Sequence, residues 1–210
     1  MIDRSETELI ISEGCQGNID GQFTEEHYGW NYKKLQQEKS KKEYADILAL
    51  IPLKIKVFYD TRVSAICADD KALLKENMLA FSDLRAFIGY YSRLKEFKDK
   101  NPKKFKLYAD SMFDTAKQKD RSIDPIAFAR DHAALALQKA EDLIKRRNER
   151  FAQVAEANKD KRPAIVVGGL HAKSLAERLE SRGIKTQIIV PDGYSQEDEA
   201  LLDQIKNLLK

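Results

Sequence analysis

Arg147-Asn148 and the downstream run Gly168-Gly169-Leu170-His171 are the residues whose types and spacing could do chemistry. A guanidinium can steady an oxyanion or a carboxylate, and a carboxamide can orient an imidazole. An imidazole can bind a metal or move a proton. Residues 126–157 carry apolar groups at Ile126, Ala129, Ala133, Leu137, Ala140, Ile144, Phe151 and Ala155, the pattern of a long amphipathic helix. Continued from Ile144 to Phe151, that stripe runs through Arg147 and Asn148. Polar groups on a core-facing stripe need partners or cost free energy, so they call for a reason.

Helix and strand geometry supplies one. Asn148 lies about 14 Å from a helix end near Ala157 at 1.5 Å per residue. The run Pro163-Ala164-Ile165-Val166-Val167 returns about 16 Å as a strand. Arg147 and Asn148 are thereby placed level with Gly168 to His171, at the carboxyl end of that strand, where ligands of open α/β sheets bind. At the N-terminus of the following helix, the helix dipole disfavours an imidazolium, so His171 is expected neutral and available to a metal or as a base. Glu13, at the end of an early strand, is the best second ligand; Asp20, Asp60 and Asp69 are weaker, because turns and caps often hold aspartate. Arg147 as a snorkelling cation and Asn148 as a loop-carbonyl partner are the plainer alternatives.

The elements that must position these groups follow from pattern. Glu8 to Ser12 reads as a strand, Thr24 to about Leu48 as a helix, and Ile55 to Asp60 as a strand. Asp69-Asp70 opens a helix to about Phe97, Asn101-Pro102 another to about Lys119, and Asp124-Pro125 the long helix. Strand 164–167, helix 172–182, strand 185–190 and helix 196–209 make a βαβα unit. Arg182-Gly183 ends its first helix, Pro191-Asp192-Gly193 is a turn, and Ser195 with Asp198 starts its last helix. The expected class is α/β: one domain over 1–210, with a mostly parallel sheet. Its helical block, about 69–160, is inserted between an early strand and the C-terminal βαβα unit, about 163–210.

Composition narrows the function classes. Charged residues make up 34% and aromatics 9%, as in a protein with many exposed helices. Thirty-seven basic against 34 acidic residues leave +3, too little to argue for nucleic acid. Lys98 to Lys106 is the densest basic stretch and reads as a solvated corner between helices. Cys15 and Cys67 have no metal-ligand spacing and make no disulfide framework, so free thiols are expected, either in a reducing compartment or buried and inert. No apolar run approaches membrane-spanning length, and the chain as written reads as cytoplasmic. A dinucleotide fingerprint fails, because Leu170 and Lys173 stand where its second and third glycines would be. His27 and His132 fall on expected helices and read as packed or surface residues.

Three pieces, Ile10-Ile11-Ser12-Glu13-Gly14, Arg147-Asn148 and Val166-Val167-Gly168-Gly169-Leu170-His171, taken in this order, resemble one superfamily. It contains TraB-like proteins, the TIKI metalloproteases, erythromycin esterases and ChaN-like haem-uptake proteins. In that group a first strand ends in Gly-x-x-His or Gly-Glu-x-His and a second in a glutamate. A helix carries Arg-Asn or Arg-Asp, and a later strand ends in Gly-x-x-His. The resemblance implies that Glu13 fills the second motif, Arg147 and Asn148 the third, and Gly168 with His171 the fourth. The first motif has no counterpart ahead of Glu13, which implies either a segment upstream of Met1, able to change the localisation, or a truncated or inactive member.

The expected function is a metal-dependent hydrolase-like protein acting on a peptide or ester bond in a small-molecule or peptide substrate. Glu13, Arg147, Asn148 and His171 would be catalytic, with Gly168 and Gly169 at the substrate. Glu13 and His171 would hold manganese, zinc or iron and so activate water. A second expectation is a non-catalytic haem or small-ligand binder, with Tyr90, Tyr91 and the aromatic helix 70–97 lining a groove. A third is a structural or interaction domain in which Arg147 and Asn148 only close the end of a sheet.

Overall fold

The computed structural model describes residues 7–14, 64–190 and 197–210, and the side chains of the last helix from residue 200. Three short strands are present: β1 (Leu9–Ser12), β2 (Ser64–Cys67) and β3 (Ala164–Val166). Five helices accompany them among the described residues: α1 (Lys71–Phe97), α2 (Pro102–Thr115), α3 (Pro125–Ala157), α4 (Gly169–Glu180) and α5 (Glu197–Leu209). The class is mixed α/β.

The strands form a parallel sheet in the order β2-β1-β3, with Ile10 opposite Ala65 and Ala164, and Ser12 opposite Cys67 and Val166. The central strand, Leu-Ile-Ile-Ser, is buried along its whole length, which is why its sequence is an apolar run without alternation. Parallel register brings the three carboxyl ends to one edge, so Glu13, Asp69 and Gly168 follow strands that finish side by side.

The long helices start where the sequence places their caps. Asp70 Oδ1 accepts from the N–H groups of Ala72 and Leu73, and Asn101 Oδ1 from that of Lys104. Asp124 Oδ1 accepts from those of Ile126 and Ala127, directly ahead of α3. These carboxylates and amides satisfy donors that a helix leaves open at its first turn. Past α4, Gly183 adopts φ +75°, a left-handed conformation suited to glycine.

Two compact units divide the chain: residues 1–74 with 144–198, and residues 75–143 with 199–210. In the first, Leu9 and Ile11 of β1 pack with Phe151, Ala152 and Ala155 of α3 and with Leu175 and Leu179 of α4. In the second, Phe87, Tyr91 and Leu94 of α1 meet Met112 and Phe113 of α2 and Phe128, Ala129 and Ala133 of α3. Leu202, Ile205 and Leu209 of α5 pack against Leu84, Leu137 and Ala140 there.

The expected C-terminal βαβα unit needs correction. Residues 185–190 form no strand, and Ile188, Ile189 and Val190 are about half exposed. A β-branched run becomes a strand when a neighbour completes its ladder, and no described strand pairs with this one. Strand β2 falls after the expected strand at 55–60, which lies outside the described residues, as does the expected helix at 24–48. Cys67 is disulfide-bonded, so the expectation of free thiols is also corrected. No helix among the described residues is long and apolar enough to cross a membrane.

Candidate functional site

Glu13 leaves β1 directly, and Gly14 after it turns the chain at φ +84°, a value that favours glycine. Asp69 stands two residues beyond β2, and Gly168 caps α4 after β3. Helix α3 brings Arg147 and Asn148 to the same edge, and the first turn of α4 brings His171. Arg147 is 2% exposed, Asn148 1%, His171 3% and Asp69 6%, so the cluster is closed from solvent except at Glu13. The Glu13 side chain is 12% exposed.

Arg147 is the hub. Its Nε donates to Asp69 Oδ1 at 2.8 Å and its Nη2 to Asp69 Oδ2 at 2.8 Å, a two-pronged ion pair. Nη2 also donates to Glu13 Oε1 at 3.0 Å, and Nη1 lies 3.2 Å from His171 Nε2. Backbone groups complete both carboxylates: Gly168 N–H donates to Glu13 Oε2 and Gly14 N–H to Asp69 Oδ2, each at 2.6 Å. One cation thereby ties together the ends of all three strands.

Electrostatics follow from that arrangement. Burial pushes the Glu13 carboxyl up. The hydrogen bond and charge of the His171 ring in its doubly protonated form, the charge of Arg147 and the Gly168 N–H outweigh it and hold the pKa at about 2. Burial lowers the Arg147 pKa, and Asp69 and Glu13 more than reverse that, so the guanidinium stays charged.

Asn148 fixes the imidazole. Its Oδ1 is 2.6 Å from His171 Nδ1, and because an amide oxygen only accepts, Nδ1 is the protonated nitrogen. The Asn148 amide nitrogen donates to Ser174 Oγ at 2.5 Å, which sets the amide's orientation. With Nδ1 protonated, Nε2 offers a lone pair towards Arg147 Nη1; a second proton there would face Glu13 Oε1 at 3.4 Å. Phe151, one turn beyond Arg147, sets its ring edgewise to His171 at 5.3 Å and beneath the guanidinium at 5.4 Å.

Glu13, Arg147, Asn148 and His171, separated by up to 158 positions (171 minus 13), therefore meet in one cluster. Gly168 gives its N–H to Glu13, and Gly169 opens α4. Asp69 belongs to the cluster, although the sequence ranks it as a cap: the Asp69-Asp70 doublet splits the work, with Asp70 capping α1 and Asp69 pairing with Arg147. Ser174 carries no sequence signal beyond lying one turn past His171 on the same helix. His132 is packed, its Nδ1 bonded to Phe128 O and its ring 3.9 Å from the Phe128 ring.

Tyr90 and Tyr91, expected beside haem, have other partners. Tyr90 Oη bonds to Ser111 and Thr115, and Tyr91 is buried in the helical core with its hydroxyl accepting from Lys95. His27, Asp20, Asp60 and Cys15 lie outside the described residues.

For a metal, the described residues contain no group of three or more histidine, cysteine or acidic side chains arranged to hold one. Glu13 Oε1 and His171 Nε2 are adjacent, but an Arg147 nitrogen stands 3.0 and 3.2 Å from them respectively. As arranged, the pair does not fit a resident divalent ion. No family model, curated protein or solved structure matches the chain.

Proposed function

We propose that this chain is a hydrolase-like protein of the Gly-x-x-His group, cleaving a peptide or ester bond in a small-molecule or peptide substrate. The meeting of Glu13, Asn148 and His171 at the carboxyl edge of a parallel sheet carries the reading. His171 is the base. Asn148 holds its Nδ1–H, so Nε2 carries the lone pair. That lone pair must turn from Arg147 Nη1, 3.2 Å away, to take a proton from an attacking water and return it to the leaving group. Glu13, the most solvent-accessible member, stabilises the imidazolium from 3.4 Å, while its low pKa makes it a poor base itself. Arg147 and Asp69 hold Glu13 and the ring in register. The superfamily resemblance implies a metal-dependent form of this chemistry; no step here runs through an ion, because the guanidinium stands against both donors.

A panel of chromogenic esters and fluorogenic peptides tests the reading, wild type beside His171→Ala and Asn148→Ala. Loss of a positioned base is expected to lower turnover by about 10²–10⁴-fold. Hydrolysis no faster than buffer, or unchanged in His171→Ala, sinks it. One observation favours the alternative of a sheet-closing clasp without chemistry: the Arg147 guanidinium is 2% exposed and engaged by Asp69, Glu13 and His171 together. On that reading Arg147→Ala lowers stability and nothing else. The disulfide at Cys67 favours an oxidising compartment over the cytoplasm.

A further inference from the structure

Beside the buried stripe of α3 runs a basic strip. Lys145, Arg146 and Arg150 stand there with Glu149, and together with Arg178 of α4 they line an open groove of about 680 Å³. The volume falls among those of small-molecule sites, about 300–1,000 Å³. Leu73 is the one apolar side chain among the described lining residues, so the groove suits a charged ligand. All of these residues belong to the sheet-containing unit. Two sequence doublets divide between the groove and the buried cluster. Asp69 and Arg147 pair in the cluster, while their neighbours Asp70 and Arg146 line the groove.

Charge decides the ligand's sign. Four cations stand with two carboxylates, and both carboxylates are engaged. Glu149 accepts from Arg178, Arg182 and Gln153, and Asp70 Oδ1 from the N–H groups of Ala72 and Leu73. Lys145 and Arg150 are exposed and have no ion-pair partner among the described residues. Like charges gathered on one face repel, and an anion among them relieves that. Arg178 adds an independent sign: Glu149 takes its Nη1, while its Nε is buried and has no acceptor. A buried donor without a partner costs free energy. The side chain is 36% exposed, so the guanidinium can turn that edge to a ligand oxygen. Donors from two helices suit a tetrahedral phosphate, which accepts from more directions than a planar carboxylate.

We propose that this groove binds a phosphate-bearing small molecule, anchored by Lys145, Arg150 and Arg178. Binding needs no turnover at His171, so this proposal and the hydrolase reading can each fail alone.

The experiment titrates inorganic pyrophosphate into the full chain by calorimetry at fixed ionic strength. The proteins are wild type, Lys145→Ala with Arg150→Ala, and Lys103→Ala with Lys106→Ala. The last pair lies in the helical unit and removes the same charge. All four substituted side chains are exposed, so folding does not decide the result. Saturable one-to-one binding is expected in the wild type, about tenfold or more weaker in the groove variant and unchanged in the other. The ¹⁵Nε resonance of Arg178 should move as the wild type saturates. No saturable binding by the wild type overturns the proposal. So does equal weakening in the two variants, which would mean attraction by net charge alone. Binding that leaves the Arg178 resonance fixed overturns it as well, because the anion then sits elsewhere.

Discussion

Helix α3 solves burial in two ways along one stripe. Its first half sets Ala129, Ala133, Leu137 and Ala140 against apolar neighbours, among them Phe87 and Phe113 of the helical unit. Its second half, in the sheet-containing unit, buries Arg147 and Asn148 as completely as those alanines. The apolar half needs only shape and area, which many sequences provide. The polar half is stable only while partners 78 and 134 positions away, Asp69 and Glu13, are in place. Loss should therefore be graded and independent in the first half, and cooperative in the second.

The largest effect tests that contrast. Asp69→Ala strands a buried guanidinium and is expected to cost about 3–5 kcal/mol, read from urea denaturation at pH 7. Leu137→Ala, 6% exposed in the first half, should cost about 2–4 kcal/mol by loss of burial and a residual cavity. The combinations separate the two kinds of burial. Asp69→Ala with Arg147→Ala should cost much less than the sum of the singles, because the second change removes the charge that the first left unpaired. Asp69→Ala with Leu137→Ala should add. Additive behaviour of the Asp69–Arg147 pair would remove the distinction.

Acid should act on the polar half first. The folded-state pKa of Glu13, about 2, lies below the ordinary 4.5 of a glutamate, so the folded state holds the ionised form more tightly than the unfolded state does. The stability this adds is fully present above the unfolded pKa and is lost as pH falls from about 4.5 towards 2. The full shift corresponds to about 3 kcal/mol. Urea midpoints of Glu13→Gln measured across that window should fall less steeply than those of the wild type. Parallel slopes would show that Glu13 is not held by its partners.

Those partners also explain what was legible in the sequence. The helices of the block were readable because Asp70, Asn101 and Asp124 cap them and a 3.6-residue period runs through them, both local signals. Arg147, Asn148, His171 and Glu13 could be picked out because each breaks or ends a local pattern. Asp69 ranks only as a weaker candidate, since a carboxylate before a helix looks like a cap and its real partner is a residue far along the chain. The run Thr186 to Val190 has a strand's composition but no described neighbour, and pairing is a property of two segments, not one. Cys67 fails for the same reason: a disulfide depends on what folding brings near.

The smallest effects give the finest separation. Ser174→Ala removes the oxygen that accepts from the Asn148 amide, and Asp124→Ala removes the cap of the first turn of α3. Each should cost about 1 kcal/mol, one as a lost hydrogen bond and the other as a lost N-cap, so denaturation alone does not distinguish them. The ¹⁵N resonances of the His171 ring should. Ser174 orients Asn148, whose oxygen keeps the proton on Nδ1; freeing that amide lets the tautomers mix and moves both ring nitrogens. The Asp124 side chain accepts from Ile126 and Ala127, at the far end of α3 from the ring, and should leave the ring as it was. Equal ring shifts in the two variants would mean that the tautomer follows the stability of α3 rather than the amide. No change in either would mean that Asn148 keeps its orientation without Ser174, held by the imidazole alone.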